Sequence, residues 1–242
     1  MTPAARLQAA IDILDEMNRS LVASDKFLRG WWGARRFAGS KDRAAVSERV
    51  YAVLRRRASL SWRMQSDSPR ALVIASLLAE GASPTAIEGL FDGSQYGPQS
   101  LSSEEKAAIV GTPAPPPDYV CGDFPEWLDS ELRRSLGDSL LPEMAAMRER
   151  AAVDLRVNTL KAQRDDMLVG LQALDMETRV TSFSPWGLRL DSDQRLSMLS
   201  HTQFFQTGAF EFQDEASQLV ALLCAAKRGE RVLDIEIGRA HV

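Results

Sequence analysis

From residue 3 to about residue 150, apolar positions recur at helical spacing. Thr2 is placed to cap and Pro3 to occupy a first helical position, after which Leu7, Ile11, Leu14 and Leu21 fall on one face, with only Asn18 breaking the stripe. Ser40 is placed to cap a longer helix through KDRAAVSERVYAVLRRRASLSWRM, with Trp32, Val46, Val50, Val53, Leu54 and Leu60 on faces that must be buried. SPRALVIASLLAEG and SPTAIEGLF each begin with Ser then Pro, and SSEEKAAIV offers a capping box, Ser102 with Glu105. GTPAPPPDYVCGDFP reads as a Pro-rich connection with too little periodicity to be an element, and helix returns at PEWLDSELRRSLG and LLPEMAAMRERA.

The period changes at AVDLRVNTL, where Val153, Leu155 and Val157 alternate with polar neighbours as in a half-buried strand. QRDDMLVGLQALDM is then an amphipathic helix, ETRVTSF and GLRLD are strands about the turn SPWG, RLSMLSHTQFF is a short helix and GAFEFQD a strand. The order β, α, β, β, α, β is the split ferredoxin-like unit, which is also the fold of RNA recognition motifs. DEASQLVALLCAAKRGERVLDI follows with a helix start and a short buried strand, the opening of a doubly wound sheet in which a glycine-rich loop should come next. Instead, six residues with a single glycine follow Glu236.

Composition adds limits. With 242 residues, 45% hydrophobic and 26% charged, the chain has ordinary globular composition and length for one large or two modest domains. No apolar run reaches the roughly 18 to 20 residues of a membrane span, and the first residues lack a secretory signal, so the expected location is cytoplasmic. Cys121, placed in a loop, and Cys224, placed on the apolar face of a helix, lie far apart without CxxC or paired His; neither a disulfide framework nor a metal site is expected.

Charge changes the picture more. Residues 1–70 hold 14 Lys and Arg against 7 Asp and Glu, a net of +7, so residues 71–242 carry −11 of the total −4. Among the basic residues, Arg35, Arg36, Lys41, Arg43, Arg55 and Arg56 are interleaved with Trp31, Trp32, Phe37 and Tyr51. Cations that neutralise phosphates and aromatic faces that stack on unpaired bases are what an RNA-binding surface uses. The same arginines would equally serve as a solvated helix face.

LRVNTLK, SPWGLRL and FEFQDEASQLVALLCAAKRGERVLD, in this order and spacing, resemble the Sun, or RsmB-like, family of S-adenosylmethionine-dependent RNA cytosine-5 methyltransferases over residues 150–235. The N-terminal helices are similar in placement to the NusB-like RNA-binding domain of bacterial members. The resemblance implies S-adenosylmethionine as cofactor of the full-length protein and RNA, chiefly ribosomal, as partner; composition and cysteine spacing lead to no expected membrane or metal partner. It places both catalytic cysteines in motifs beyond this sequence, so no catalytic residue is assigned. Asp214 of QDEAS is expected to cap the following helix beside the cofactor pocket, and Asp234 to end the first strand and orient the cofactor loop. Arg156 and Asn158 of LRVN are open to two readings, RNA contact from the sheet or a strand-end pair tying this domain to the catalytic one. In the family a glycine-rich loop ending in Lys follows the strand. EIGRAHV does not resemble it and coincides with one reading frame of a common sequencing adapter.

The expected fold is therefore α+β: an all-α NusB-like helical domain (1–140), a helical linker (141–152), a ferredoxin-like, RRM-like unit (153–213), the first helix and strand of a truncated Rossmann-type methyltransferase sheet (214–235), and a non-native tail (236–242). The expected function is that of the N-terminal part of an rRNA cytosine-5 methyltransferase, inactive and not expected to bind the cofactor as it stands. The alternative is a stand-alone NusB-like RNA-binding module in transcription or ribosome assembly.

Overall fold

A computed structural model describes residues 1–35, 37–190 and 196–233, which form two compact units, Met1–Glu149 and Arg150–Val242. Within them the architecture is helical first and then mixed, with one antiparallel sheet.

The first unit begins with α1 (Pro3–Asn18), α2 (Ser24–Gly33), α3 (Ser40–Arg55) and α4 (Arg57–Met64), followed by α5 (Pro69–Ala79), α6 (Pro84–Leu90) and α7 (Ser103–Val110). Four helix starts carry the expected side-chain caps. Thr2, Ser68 and Ser83 accept from Ala5 N, Ala71 N and Ala86 N, and Ser102 with Glu105 closes the capping box of α7. The buried face of α1 is centred on Ala10, Ile13 and Leu14. The stripe read from the sequence is thus rotated: Ile11 is only half-buried, and Leu21 lies past the helix end, fully exposed. α5 is enclosed on every side, with each residue from Ala71 to Leu77 buried against Val50 and Val53 of α3, Leu60 of α4 and their neighbours.

The single helix expected from Lys41 to Met64 is two helices. Arg56, at φ −127° and ψ 27°, breaks it, and Ser40 is the first helical residue rather than the cap. The physical reason lies far along the chain: the carboxylate of Asp123 accepts from Ser59 N (2.8 Å) and Ser59 Oγ (2.8 Å), satisfying the first turn of α4 as a local cap would. Asp123 sits at φ 56° just after α8 (Asp118–Cys121), one helical turn inside the stretch that reads as a mere connection. α9 (Asp129–Leu136) and α10 (Leu140–Arg148) follow, and Arg148 Nη1 donates to the same Asp123 at 2.8 Å. Phe124, Leu140 and Met144 form a small separate core there.

The second unit has the expected order. β1 (Val153–Val157), α11 (Arg164–Gln172), β2 (Thr178–Val180), β3 (Gly187–Leu190), two short helices α12 (Leu196–Leu199) and α13 (Gln203–Gln206) in place of one, and β4 (Phe210–Phe212) make a sheet of order β2-β3-β1-β4 with antiparallel neighbours. This is the ferredoxin-like arrangement. Leu155, Val157, Leu188, Leu190 and Phe210 pack with Met167 and Leu171 of α11. α14 (Glu215–Leu223) closes the regular structure, and the strand expected next is not formed over Arg231–Leu233, where Val232 and Leu233 are exposed. A parallel strand needs a neighbour for its ladder, and among the described residues the four strands above pair with one another. Asp234, Ile235 and the tail 236–242 lie outside the described residues.

Candidate nucleic-acid interface

Most of the basic side chains of the first unit have partners within it. Arg35 lies 3.7 Å over the Trp31 ring and reaches Trp31 O and Glu16. Arg43 Nε donates to Ala38 O (2.8 Å), Arg55 pairs with Glu48 (2.9 Å) and Arg56 with Glu149 (3.4 Å). Lys41 is exposed, and Arg36 lies outside the described residues. Arg49 and Arg63 are structural: the first bridges Ser76 and Glu80, the second holds the carbonyls of Ala108 and Ile109 at the end of α7. Trp31 and Trp32 are buried and meet edge to face, their indole N–H groups donating to Glu16 and Ser47. Of the aromatics in the basic stretch, Phe37 is the one turned to water.

In the second unit, side chains alternate across β1, so Asp154 and Arg156 share the face opposite the apolar core. Arg156 borders a groove of about 530 Å³ with Asn158, Lys161, Trp186, Phe210 and Glu211. Its guanidinium lies 5.5 Å from the Trp186 ring centroid and donates to Gln213 Oε1 at 3.2 Å. Asn158 is held within this unit, its amide donating to Gly208 O (3.1 Å) and its carbonyl accepting from Leu160 N (3.1 Å). Lys161 Nζ donates to Thr207 O at 2.7 Å. The groove thus offers one guanidinium, one ammonium and one indole face on a fixed frame, the elements that bind a phosphate and stack a base.

The polar face of the sheet does not have the character of an RNA recognition motif, which stacks bases on aromatic strand residues. Here that face carries Asp154, Arg156, Gly187, Arg189 and Glu211, and the first turn of α14 covers part of it. Arg189 forks onto Asp154 through Nε (2.6 Å) and Nη2 (2.7 Å), and lies 3.6 Å from Glu215 Oε2. Asp154 also accepts from Glu215 N (3.1 Å), while Glu215 Oε1 accepts from Phe183 N (2.6 Å) and Ser184 N (2.9 Å). Fully buried Gln218 accepts from Ser184 Oγ and donates to Gln213 O. Asp214 caps α14, accepting from Ala216 N at 2.8 Å. QDEAS therefore acts as a clasp: Asp214 starts the helix, and Glu215 with Gln218 fastens it to the sheet.

Burial works to raise the Glu215 carboxyl, but the Ser184 and Phe183 amides, Thr181 and Arg189 outweigh it and hold the group below its ordinary value. A depressed folded-state value contributes stability above the unfolded value of about 4.3 and loses it as the pH falls toward the folded one. Acid unfolding of the second unit should therefore begin below about pH 4.3, and Glu215→Gln should flatten that slope. An unaltered acid profile in the variant would place the acid sensitivity elsewhere.

Cys121 ends α8 with its Sγ 3.7 Å from Pro116 O, and Cys224 caps the C-terminus of α14 exposed to solvent rather than on an apolar face. Among the described residues there is no group of three or more His, Cys, Asp or Glu that could hold a metal ion, and no helix is long and apolar enough to cross a membrane.

The family model described as Methyltr_RsmF/B-like, ferredoxin-like domain matches residues 124–197, so it takes in α9 and α10 as well as most of the sheet. The chain is similar to the probable ribosomal RNA small subunit methyltransferase B of Synechocystis sp., at 26% identity over 113 residues, 46% of this chain and 25% of that protein. It spans about a quarter of the length of that curated relative. The crystal structure of PH0851 has the same fold, with a TM-score of 0.56 at 16% identity over 95% of this chain and 57% of that one. The resemblance to the Sun, or RsmB-like, methyltransferases read from the sequence motifs is thus met by a match to the RsmF/B-like ferredoxin-like domain.

Proposed function

We propose that this chain is the RNA-handling part of an S-adenosylmethionine-dependent ribosomal RNA cytosine-5 methyltransferase. In this reading the first unit is a NusB-like RNA-binding domain, the ferredoxin-like sheet guides RNA along the Arg156 groove, and α14 opens the cofactor-binding sheet of a cytoplasmic enzyme. The observation that carries it is the clasp: a helix that ends in exposed Val220 and Leu223 is fixed at its start to a family-matched domain by buried Asp154 and Glu215 together with half-buried Arg189. That arrangement suits a domain that aims the beginning of the next one.

S-adenosylmethionine supplies the transferred methyl group in such enzymes. The Asp214 carboxylate is committed to the first turn of α14, the Arg156 groove does not include Asp214, and Asp234 lies outside the described residues. What this chain's own residues can do is bind RNA and hold it in register. Arg156→Ala should weaken single-stranded RNA binding and lower its salt slope by about 0.7 if one phosphate contact is lost. Equal affinity and slope in wild type and variant would remove the groove from the RNA path. The gene decides the enzymatic part: a frame continuing past the codon for Asp234 into a glycine-rich loop and later Pro-Cys and Thr-Cys motifs supports it. A stop codon after Val242 in genomic DNA supports the stand-alone RNA-binding module instead.

A further inference from the structure

A second cavity, of about 770 Å³, lies wholly within the helical unit, between α1, the end of α2 and the loop that follows α6. Its size is that of a cleft for a small planar ligand. Two aromatic side chains line it while facing water, Phe37 at 77% exposure and Tyr96 at 71%. Large aromatics at such exposure on an ordinary loop carry little meaning, but this loop is built to a fixed shape. Phe91 and Leu101 anchor its ends in the core, and Arg70 Nη2 holds the carbonyls of Gln99 (2.8 Å) and Ser100 (3.2 Å). Gly93 N donates to Pro98 O and Gly97 N to Ser94 O, each at 3.0 Å. At Gly97 a Cβ would lie 2.6 Å from Ser94 Oγ and 3.0 Å from Ala4 Cβ, so the loop lies close against α1 where a side chain would have to push its neighbours aside. Tyr96 is presented at the tip of a braced turn.

The rest of the lining has a matching character. The Arg35 guanidinium, stacked on Trp31, makes a flat cationic surface, a plane of the kind on which bases stack. The side-chain amides of Gln95 and Gln99 are exposed and make no hydrogen bond among the described residues, leaving both donors and acceptors free. Asp12, the one carboxylate in the lining, is occupied by Gln8 Nε2 at 2.6 Å. Two exposed aromatic faces, a stacked guanidinium and unpaired amides in one cleft fit a planar heteroaromatic with a hydrogen-bonding edge and an attached anion.

We infer that this cleft receives an unstacked base of single-stranded RNA, with Phe37 and Tyr96 as stacking faces and Gln95 and Gln99 meeting the base edge. The inference rests on the RNA-handling reading above, but it assigns the base-binding role to side chains outside the arginine cluster that charge alone singles out. Stacking is insensitive to ionic strength, whereas phosphate contact is not.

The test uses the full chain and a short single-stranded oligoribonucleotide carrying one 2-aminopurine. Binding should quench the probe, and Phe37→Ala and Tyr96→Ala should each weaken binding about 5- to 150-fold with an unchanged salt slope. Tyr96→Phe should keep wild-type affinity, and because both residues are exposed the variants should retain the wild-type circular dichroism. RNA bound by the wild type without quenching, and equally well by both alanine variants, would overturn the cleft while leaving the RNA-handling reading intact. No RNA binding by the wild type would overturn both. Loss of a peptide ligand rather than RNA in the two variants would also overturn the inference and make the occupant a protein.

Discussion

Replacing Arg189 by Met should destabilise the ferredoxin-like unit by about 3–5 kcal/mol, the cost of leaving a buried charge without its partner. The Asp154 side chain has 0% exposure, and Arg189 gives it two of its three hydrogen bonds. Without the guanidinium, Asp154 and Glu215 would face each other across the start of α14 with no cation between them, since Arg189 is the bridge to both. Arg189→Lys should recover only part of the loss, because a single ammonium cannot reproduce the fork. Asp154→Leu combined with Arg189→Met should be milder than Arg189→Met alone, because removing both partners leaves no orphaned charge at this position. Urea unfolding read by the exchange of β1 amides would measure all three. A cost under about 1 kcal/mol for Arg189→Met would mean that water reaches Asp154.

Asp123→Ala should cost the helical unit a comparable amount, about 3–5 kcal/mol. One carboxylate, 2% exposed, serves the first turn of α4 through Ser59 and anchors Arg148, whose Nε already lacks a hydrogen-bond partner. The substitution removes a helix cap and strands a half-buried guanidinium together. Asp123→Asn keeps an acceptor for Ser59 and loses the ion pair, so it should fall between wild type and Ala. Thermal melts followed by helical circular dichroism would rank the three; equal melting temperatures would show that solvent serves that turn of α4 as well as Asp123 does.

These two sites also mark where the sequence stops being readable. Signals that act within one turn were legible: Ser68 before Pro69, Ser83 before Pro84 and the Ser102–Glu105 box all cap where their spacing places them. The alternation over Val153, Leu155 and Val157 likewise fixes which face of β1 meets the core, and the strand and helix order of the second unit follows. Asp123 with Ser59, and Asp154 with Arg189 and Glu215, are joined across dozens of residues. No local pattern distinguishes those carboxylates from solvated ones. The break at Arg56 was hidden for the same reason, since the residues on either side are good helix formers and the group that stabilises the second start comes from the far end of the unit.

The basic stretch failed differently. Counting charge picks out a segment but does not say which of its cations are already engaged: Arg35, Arg43, Arg55 and Arg56 have intramolecular partners, and buried Trp31 and Trp32 belong to the core. Exposed Phe37 and Tyr96 sit far apart in sequence and came together only through the loop after α6. Glu215 and Gln218 were overlooked because a helix-capping Asp beside them accounted for the motif.

The enclosure of α5 sets how this protein can change over evolutionary time. A helix with one wet face absorbs neutral drift there, but seven consecutive residues from Ala71 to Leu77 meet neighbours in every direction. Even the hydroxyl of Ser76 is engaged, donating to Val73 O and receiving Arg49. Exchanges along this helix must match volume for volume, with compensating change in α3 or α4 when they do not. Between diverging lineages, α5 should vary in concert with its neighbours.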